Sequence, residues 1–399
     1  MTFRHARTGE GKKEIFGAMR IYADNAATTK LSGTALDAML PYLTDRYGNP
    51  SSLHEDGAAA AAALLEARET MAGLLNCAAR ELSFTSGGSE ADNQALLSAA
   101  SWGAAHGRRH IVSTEFEHPA VLRTLEYLEA RGFGVTLLPV SAEGIIRPEQ
   151  VSSAIRPDTC LVSVMAANNE VGTVQPVKEI GDLCRRNNVL FHSDAVQAAG
   201  HIPIDLSEMN VDLLSLSAHK FHGPKGIGAL YLRRGIRPVS LIRGGGQERG
   251  GRAGTENVPA VAGMAAALRE SCGKLEENAD YIARMREELI SGLERIRGAY
   301  LIGGRSRRVP GIVNFCFEDV ESEPLLLLLD ADGISASAGS ACSAGALEPS
   351  HVLRSMGVPD RLARGSLRLS LSEYNTPEEI SRIILSVTSA VSRLRKENP

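Results

Sequence analysis

The chain has 399 residues, 43% of them hydrophobic, with 43 basic against 47 acidic side chains and a formal net charge of -4. That length can bury a large core and is expected to form one big domain plus a smaller one, while the near-even charge offers no basic field for nucleic acid and no acidic tail. The longest apolar runs, such as residues 324–329, fall far short of the ~20 residues that span a bilayer, so no transmembrane helix and no membrane partner are expected.

Residues 1–20 are net basic and lack the continuous apolar core of a secretory signal. They are expected to be a disordered extension, or a misassigned start with Met19 as initiator. An alanine-rich stretch at 56–75 predicts a helix. Between residues 80 and 235, short β-rich runs at 110–114, 135–140, 160–167, 189–195, 213–219 and 228–234 alternate with helical patterns such as 117–132, closed by Gly132, and 177–188. Such alternation predicts an α/β domain with a largely parallel sheet. From 277 to 297 the apolar residues Ile282, Met285, Leu289, Leu293 and Ile296 recur at three- and four-residue steps, which marks a long amphipathic helix bridging to a second unit. That unit reads as α+β: a strand at 311–317, an apolar helix, a loop around Cys342, a helix from about Pro349, a strand at 366–371, and a terminal helix carrying Ile380, Ile383, Ile384, Val387, Val391 and Leu394. The expected boundaries are a 1–20 extension, a large domain at 21–275 whose segment 21–50 is free to pack with the small domain, and a small domain at 276–399.

The six cysteines lie far apart, with no Cys-x-x-Cys pair and no neighbouring histidine spacing for zinc, so no resident metal is expected and the reducing cytoplasm is the default compartment. Cys77, Cys160, Cys184, Cys272 and Cys316 read as small buried hydrophobes. Cys342 differs, because it sits in "SASAGSACSAGALEPSH", a run of small residues with nothing to anchor it.

Three stretches carry chemistry. In "SLSAHKFHGPKG", residues 215–226, a strand delivers Ser217, His219 and Lys220 to its carboxyl end, where open α/β sheets place their ligands. Taken alone, Lys220 reads as a surface lysine, but a partly desolvated lysine can form a Schiff base with an aldehyde. The preceding strand ends in "FHSDAVQ", with Asp194, and a carboxylate there would keep a pyridine nitrogen protonated. "FTSGGSEADNQALL", residues 84–97, turns through Gly87 and Gly88 into a helix with Ser89 near its start, and amides at a helix N-terminus cradle phosphate. A lysine, an acid and an anion site are the three needs of pyridoxal phosphate.

With these residues in view, the chain resembles the cysteine desulfurases of the class V aminotransferase family, of NifS-like type. The resemblance runs from "YADNAATTK" at Tyr22 through "YGNPSSLH", "FTSGGSEADN", "EHPAV", "NNEVGTVQP", "SDAVQ", "SAHKFHGPKG", "GGGQERGGRAGTEN" and "GSACSAGALEPSHVL" to "SLRLSL". It implies the α/β fold type I of pyridoxal phosphate-dependent transferases, with a smaller α+β C-terminal domain. It also implies pyridoxal 5'-phosphate bound covalently to Lys220, Asp194 beside the pyridine nitrogen, His118 stacked on the ring and moving protons, and Gln197 and Asn169 on the phenolic oxygen. Gly88, Ser89, Ser217, Ala218 and His219 match the phosphate cradle, Ser89 standing where threonine is common. Thr255 matches a residue that reaches the phosphate of a neighbouring subunit, implying a homodimer with shared active sites.

Arg368, which by itself reads as a surface arginine on an alternating strand, matches the residue that binds the substrate carboxylate, with Asn169 and Asn49 assisting. The implied reaction takes L-cysteine, moves its α-proton through Lys220 and His118, and transfers its sulfur to the Cys342 thiolate, giving a persulfide and L-alanine. The persulfide would pass to an acceptor such as an iron–sulfur scaffold, tRNA thiolation or another thio-cofactor pathway, and the Cys342 thiol has the chemistry to ligate a nascent cluster transiently. The alternatives are a selenocysteine lyase or another class V enzyme, neither of which needs a mobile cysteine, and a protein that only docks a sulfur acceptor, which would release no alanine from free cysteine.

Overall fold

In the computed structural model, which describes residues 20–339 and 349–397, the chain opens with β1 (Ile21–Tyr22) and two helices, α1 (Gly33–Thr44) and α2 (Glu55–Leu75). The expectations for the 1–20 extension, Arg20 apart, and for Cys342 fall outside the described residues. Helix α2 buries Ala60, Ala63 and Ala67 at three- and four-residue steps, where small side chains admit close neighbours. His54 Nδ1 accepts from the Gly57 amide at its start, and Asn76 takes a left-handed φ of 54° at its end.

The predicted alternation follows: β2 (Leu82–Thr85), α3 (Gly88–Ala105), β3 (His110–Thr114), α4 (Pro119–Glu129), β4 (Gly134–Leu138), α5 (Pro148–Ala154), β5 (Thr159–Ser163), α6 (Val177–Arg186), β6 (Leu190–Asp194), β7 (Leu213–Ser217) and β8 (Gly228–Leu232). The run expected at 135–140 stops before Pro139, which has no N–H for the ladder. These strands form one sheet in the order β2-β8-β7-β6-β5-β3-β4, parallel except where β8 runs against β7 and β2. Every residue of β3, β5, β6, β7 and β8 is buried, as in a sheet covered on both faces. Because β2 opposes β8 and β8 opposes β7, β2 ends at the same edge as the parallel strands. The segments after β2, β3, β5, β6 and β7 therefore meet along one carboxyl edge.

Helix α7 (Val258–Gly273) packs against α1 and α2, and α8 (Leu275–Leu293) leads away to the C-terminal unit. There β9 (Ala299–Ile302), β10 (Ile312–Phe317), α9 (Ser322–Ala331), β11 (Ile334–Ser335), α10 (His351–Ser355), α11 (Asp360–Ala363), β12 (Ser366–Ser370) and α12 (Pro377–Glu397) follow in turn, the sheet order being β12-β10-β9, antiparallel. Its core joins Ile282, Met285, Leu289 and Leu293 of α8 to Phe315 and Phe317 of β10 and to Ile380, Ile383 and Val387 of α12. Fully burying each such side chain is worth about 1.5–3 kcal/mol. The helix expected from Pro349 begins at His351 and is short, ended by Gly357 at φ 78° and Pro359. Strand β1 pairs in parallel with β11, so Ile21 and Ala23 lie in this second core while Ala26 and Ala35 lie in the first.

Candidate active site

Asp194 and Ser217 are the last residues of neighbouring strands β6 and β7, with Asp194 directly opposite Ser215. A single 3-10 turn, Ala218–Lys220, then carries Lys220 over the edge. Lys220 is half-buried rather than a surface lysine, and its Nζ donates to the carbonyl oxygens of Ala26 (2.5 Å) and Ala27 (2.9 Å). Gln197 Nε2 donates to the same Ala26 oxygen at 2.9 Å. Asp194 is buried, and its Oδ1 accepts from the Val196 amide at 2.9 Å. Burial pushes its carboxyl above the ordinary range, while the charges of His118 and Lys220 and the Val196 amide pull it back. A cation set against it would restore its charge.

His118 caps α4: its Nδ1 accepts from the Ala120 amide at 3.1 Å, which leaves the proton of the neutral ring on Nε2. Burial holds its pKa below the usual value, with Lys220 and His351 acting the same way and Asp194 opposing. Behind it the fully buried Glu117 is pushed up to about 8 by burial, against hydrogen bonds from the Met165 amide and the Thr114 hydroxyl. The Glu117 carbonyl accepts from His351 Nε2 at 2.9 Å. Neither Glu117 nor His351 was singled out from sequence, although both sit inside the quoted motifs.

Between β2, β7 and the turn after β7 lies a cavity of about 440 Å³, lined by Thr28, Gly87, Gly88, Ser89, Ser217 and His219 among others. The first-turn amides of α3 have no partner within the helix and open onto it. A Cβ at Gly88 would lie 2.7 Å from Val196 Cγ2, and one at Gly228 would lie 2.7 Å from the carbonyl carbon of Gly87, so both positions require glycine for this close approach. Glu90 also lines the cavity; burial works against its charge, but hydrogen bonds from Arg252 and Ser86 outweigh this and hold it below the usual carboxylate range. Glu90 is thus an ionised carboxylate at the cavity wall, its charge offset by the Arg252 guanidinium at 3.0 Å. Burial, then Lys220 and Lys225, push His219 down to about 4, and its Nδ1 meets Thr28 Oγ1 at 3.1 Å. Ala218 departs from a donor role: its amide donates to Ile227, so it shapes the wall without offering an N–H. Thr255 is exposed, as is Asn49, whose Oδ1 accepts from the Ser51 amide and which does not line the cavity.

Arg368 is not on the surface. Every residue of β12 is buried, and Arg368 is 2% exposed because residues 24 and 169 cover it. Its Nη1 donates to the Asn169 carbonyl at 2.7 Å and its Nη2 to Asp24 Oδ1 at 2.9 Å. Its Nε is buried without a hydrogen-bond partner among the described residues. A donor in that state is suited to a carboxylate.

Residues 21–383 match the family described as aminotransferase class-V. The chain belongs to that family. A cysteine desulfurase IscS from Methanosarcina thermophila is 48% identical over 390 residues, 98% of this chain and 96% of the relative. One from Clostridium botulinum is 47% identical over 383 residues, 95% and 96%. Among solved structures, a NifS-like protein superposes with a TM-score of 0.88 at 40% identity, covering 94% of this chain and all of the other. A structure described as SspA in complex with cysteine gives 0.78 at 35% identity, covering 89% and 100%.

The class V family works with pyridoxal phosphate, and this chain's residues fit it: an amide cradle that a Cβ at Gly88 would disturb, a buried acid, and a lysine at one sheet edge. Of the class V chain's cysteines, the five described are free, and burial raises each thiol, Cys77 and Cys316 to about 12 and Cys160 to about 11. None of the five is a ready nucleophile.

Proposed function

We propose that this protein is a cysteine desulfurase, which takes the sulfur of L-cysteine onto Cys342 as a persulfide and releases L-alanine. The reading is carried by the meeting of Lys220, Asp194, His118 and the Gly88–Ser89 amides at one edge of the sheet. The close relatives named cysteine desulfurase support it. Pyridoxal phosphate supplies an electron sink for the charge left when the substrate's α-proton departs. Lys220 would hold it covalently, Asp194 would pair with its ring nitrogen, Gln197 and Asn169 would serve its phenolic oxygen, and the α3 amides with Ser89, Ser217 and His219 would hold its phosphate.

Arg368 binds the substrate carboxylate through its unpartnered Nε. Lys220 accepts and returns the α-proton, and the neutral His118 ring offers its Nε2 proton nearby. The substrate's Cβ–Sγ bond breaks, Sγ bonds to the sulfur of Cys342, and Cβ gains a proton, so atoms and electrons balance without an external oxidant. The acceptor of the persulfide is an iron–sulfur scaffold or another thiol-bearing protein. The protein works as a cytoplasmic homodimer: Leu36, Leu40 and Leu43 line the outer face of α1 with Tyr47 beyond it, all exposed, which makes an apolar stripe for a second copy to cover. Thr255, exposed in its own chain, reaches the partner's phosphate site.

The test is to incubate the pyridoxal phosphate-loaded protein with L-cysteine and measure alanine and protein-bound persulfide, with Cys342→Ala alongside. Stoichiometric persulfide and steady alanine release are expected from the wild type and neither from the variant. Normal alanine release by the variant would sink the mechanism.

A further inference from the structure

Glu170 is buried at the carboxyl edge of the sheet, and no step above uses it. Its backbone is fixed independently of its side chain: Asn168 Oδ1 accepts from the amides of Glu170 (2.8 Å) and Val171 (3.0 Å), and Asn168 Nδ2 donates to the Phe116 carbonyl. The side chain therefore has a defined place from which to reach. Its Oε2 accepts from the Ser350 hydroxyl at 2.6 Å, while that same Ser350 oxygen accepts from the Val352 amide and caps α10. The hydroxyl proton is thereby committed to Glu170. The same Oε2 lies against Gly339, where an added Cβ would come within 2.8 Å at a φ of 110°. Only glycine fits there.

Gly339 and Ser350 stand on either side of residues 340–348, which include Cys342. Two residues before Gly339, Ser337 is bridged to Arg368 through both backbone hydrogen bonds. Arg368 in turn donates to the carbonyl of Asn169, the residue preceding Glu170. One dipeptide, Asn169 and Glu170, thus binds the arginine with its backbone and Ser350 with a carboxyl oxygen that also packs against Gly339 on the other flank of the cysteine segment.

We propose that Glu170 is a positioning residue for sulfur transfer, tying Ser350 by a hydrogen bond and packing on Gly339 so that both flanks keep their relation to Arg368; this rests on the cysteine desulfurase reading. Because Asn168 fixes the Asn169 carbonyl without help from the Glu170 side chain, loss of the carboxyl leaves the Arg368–Asn169 bond in place while displacing the flanks, and Glu170→Gln separates this from the loss of a charge near Arg368. The signature is a fall in kcat at constant KM.

The experiment compares holoenzyme of wild type, Glu170→Ala, Glu170→Gln, Ser350→Ala and the double variant Glu170→Ala with Ser350→Ala by two readouts. The first is the rate at which iodoacetamide alkylates Cys342, followed by peptide mapping without substrate. The second is kcat and KM for L-cysteine. Glu170→Ala is expected to change the alkylation rate at least about fivefold and to lower kcat on the order of 10–100-fold, the cost of a misplacement near an ångström, with KM within about twofold. Ser350→Ala moves both readouts the same way by less, and the double variant is no worse than Glu170→Ala because the two act as one pair. Glu170→Gln stays near wild type, since its amide oxygen still accepts the Ser350 hydroxyl. A wild-type alkylation rate and kcat in Glu170→Ala would overturn the proposal, as would a rise in KM equal to the fall in kcat. A changed alkylation rate in a protein whose wild type makes no alanine would uphold the clasp and refute the desulfurase reading instead.

Discussion

Arg368 donates through Nη1 to the carbonyl oxygen of Asn169 at 2.7 Å, which joins the middle of β12 to the loop after β5. Two of its five N–H donors are thereby spent on the protein, one on Asn169 and one on Asp24, and the buried Nε donor has no partner among the described residues. Arg368→Lys keeps the charge but cannot reproduce the planar fork that makes these contacts and leaves Nε in place. A charge-assisted hydrogen bond contributes about 1.5–3 kcal/mol, so KM for L-cysteine should rise on the order of 10–100-fold with a smaller change in kcat. Steady-state kinetics decide this, and an unchanged KM would remove Arg368 from the substrate site.

Gly228 offers a test of the anion cradle from outside it. A Cβ there would meet the Leu216 carbonyl at 2.5 Å and the Gly87 backbone at 2.7 Å, with backbone on both sides and no flexible side chain to yield. Gly228→Ala should cost about 1–3 kcal/mol of stability through overpacking and shift the Gly87–Ser89 turn. The dissociation constant for pyridoxal phosphate, read from absorbance on titration, is expected to rise about tenfold, the equivalent of ~1.4 kcal/mol. Gly73→Ala, on the exposed face of α2 with nothing within 4 Å of its added Cβ, is the control and should stabilise by about 0.5–1 kcal/mol.

His222 and Glu373 form an ion pair at 3.2 Å that links the turn after Lys220 to the C-terminal unit. Burial alone would lower the histidine, but Glu373 and the Lys30 carbonyl overcome it and the net shift is upward; Glu373 is shifted down by the same partner against its own burial. A raised histidine contributes stability that is full below its unfolded pKa of ~6.5 and is lost as pH rises through the folded value, while a depressed glutamate contributes above ~4.3 and loses it as pH falls. The pair is therefore strongest between about pH 4.5 and 6.5. The Tm difference between wild type and Glu373→Gln should be largest in that window and shrink above it. A gap that does not vary with pH would contradict the assignment.

The exposed face of α1 predicts a fourth result. Leu40→Glu places a charge among Leu36, Leu43 and Tyr47, all of which are exposed in the single chain, so it should leave the monomer folded and weaken the proposed dimer. Light scattering coupled to size exclusion would show a shift toward monomer at micromolar concentration. Unaltered mass in the variant would refute α1 as the contact, and a wild type of monomer mass would refute the dimer.

The strands around the site were legible because each is a short apolar run ended by a polar or glycine-containing turn, and their parallel order put Lys220 and Asp194 at one edge before any coordinates were known. The motifs extended this to His118, Ser89 and Arg368. What could not be read was burial created by distant partners. Arg368 sits in a strand whose pattern suggests one wet face, and that face is closed by Asp24, 344 residues away in sequence. Glu170 and Ser350 meet across 180 residues, and neither residue type hints at the other. Helix α1 escaped notice because its leucines face outward and form no core stripe.

The chain between Ala23 and Ala27 has a mechanical consequence. Ala23 is packed in the C-terminal core and Ala26 in the core of the large sheet, with only Asp24 and Asn25 between them. Asp24 holds Arg368, Asn25 donates to the Ser370 carbonyl, and the next two carbonyls take the amine of Lys220. The segment is folded as a turn, the Ala27 amide donating to the Asp24 carbonyl at 3.0 Å, so the ties to both units are made within one short loop. A shift of one unit against the other is therefore transmitted to the oxygens that receive the Lys220 amine, and the two halves of the molecule are linked at that amine.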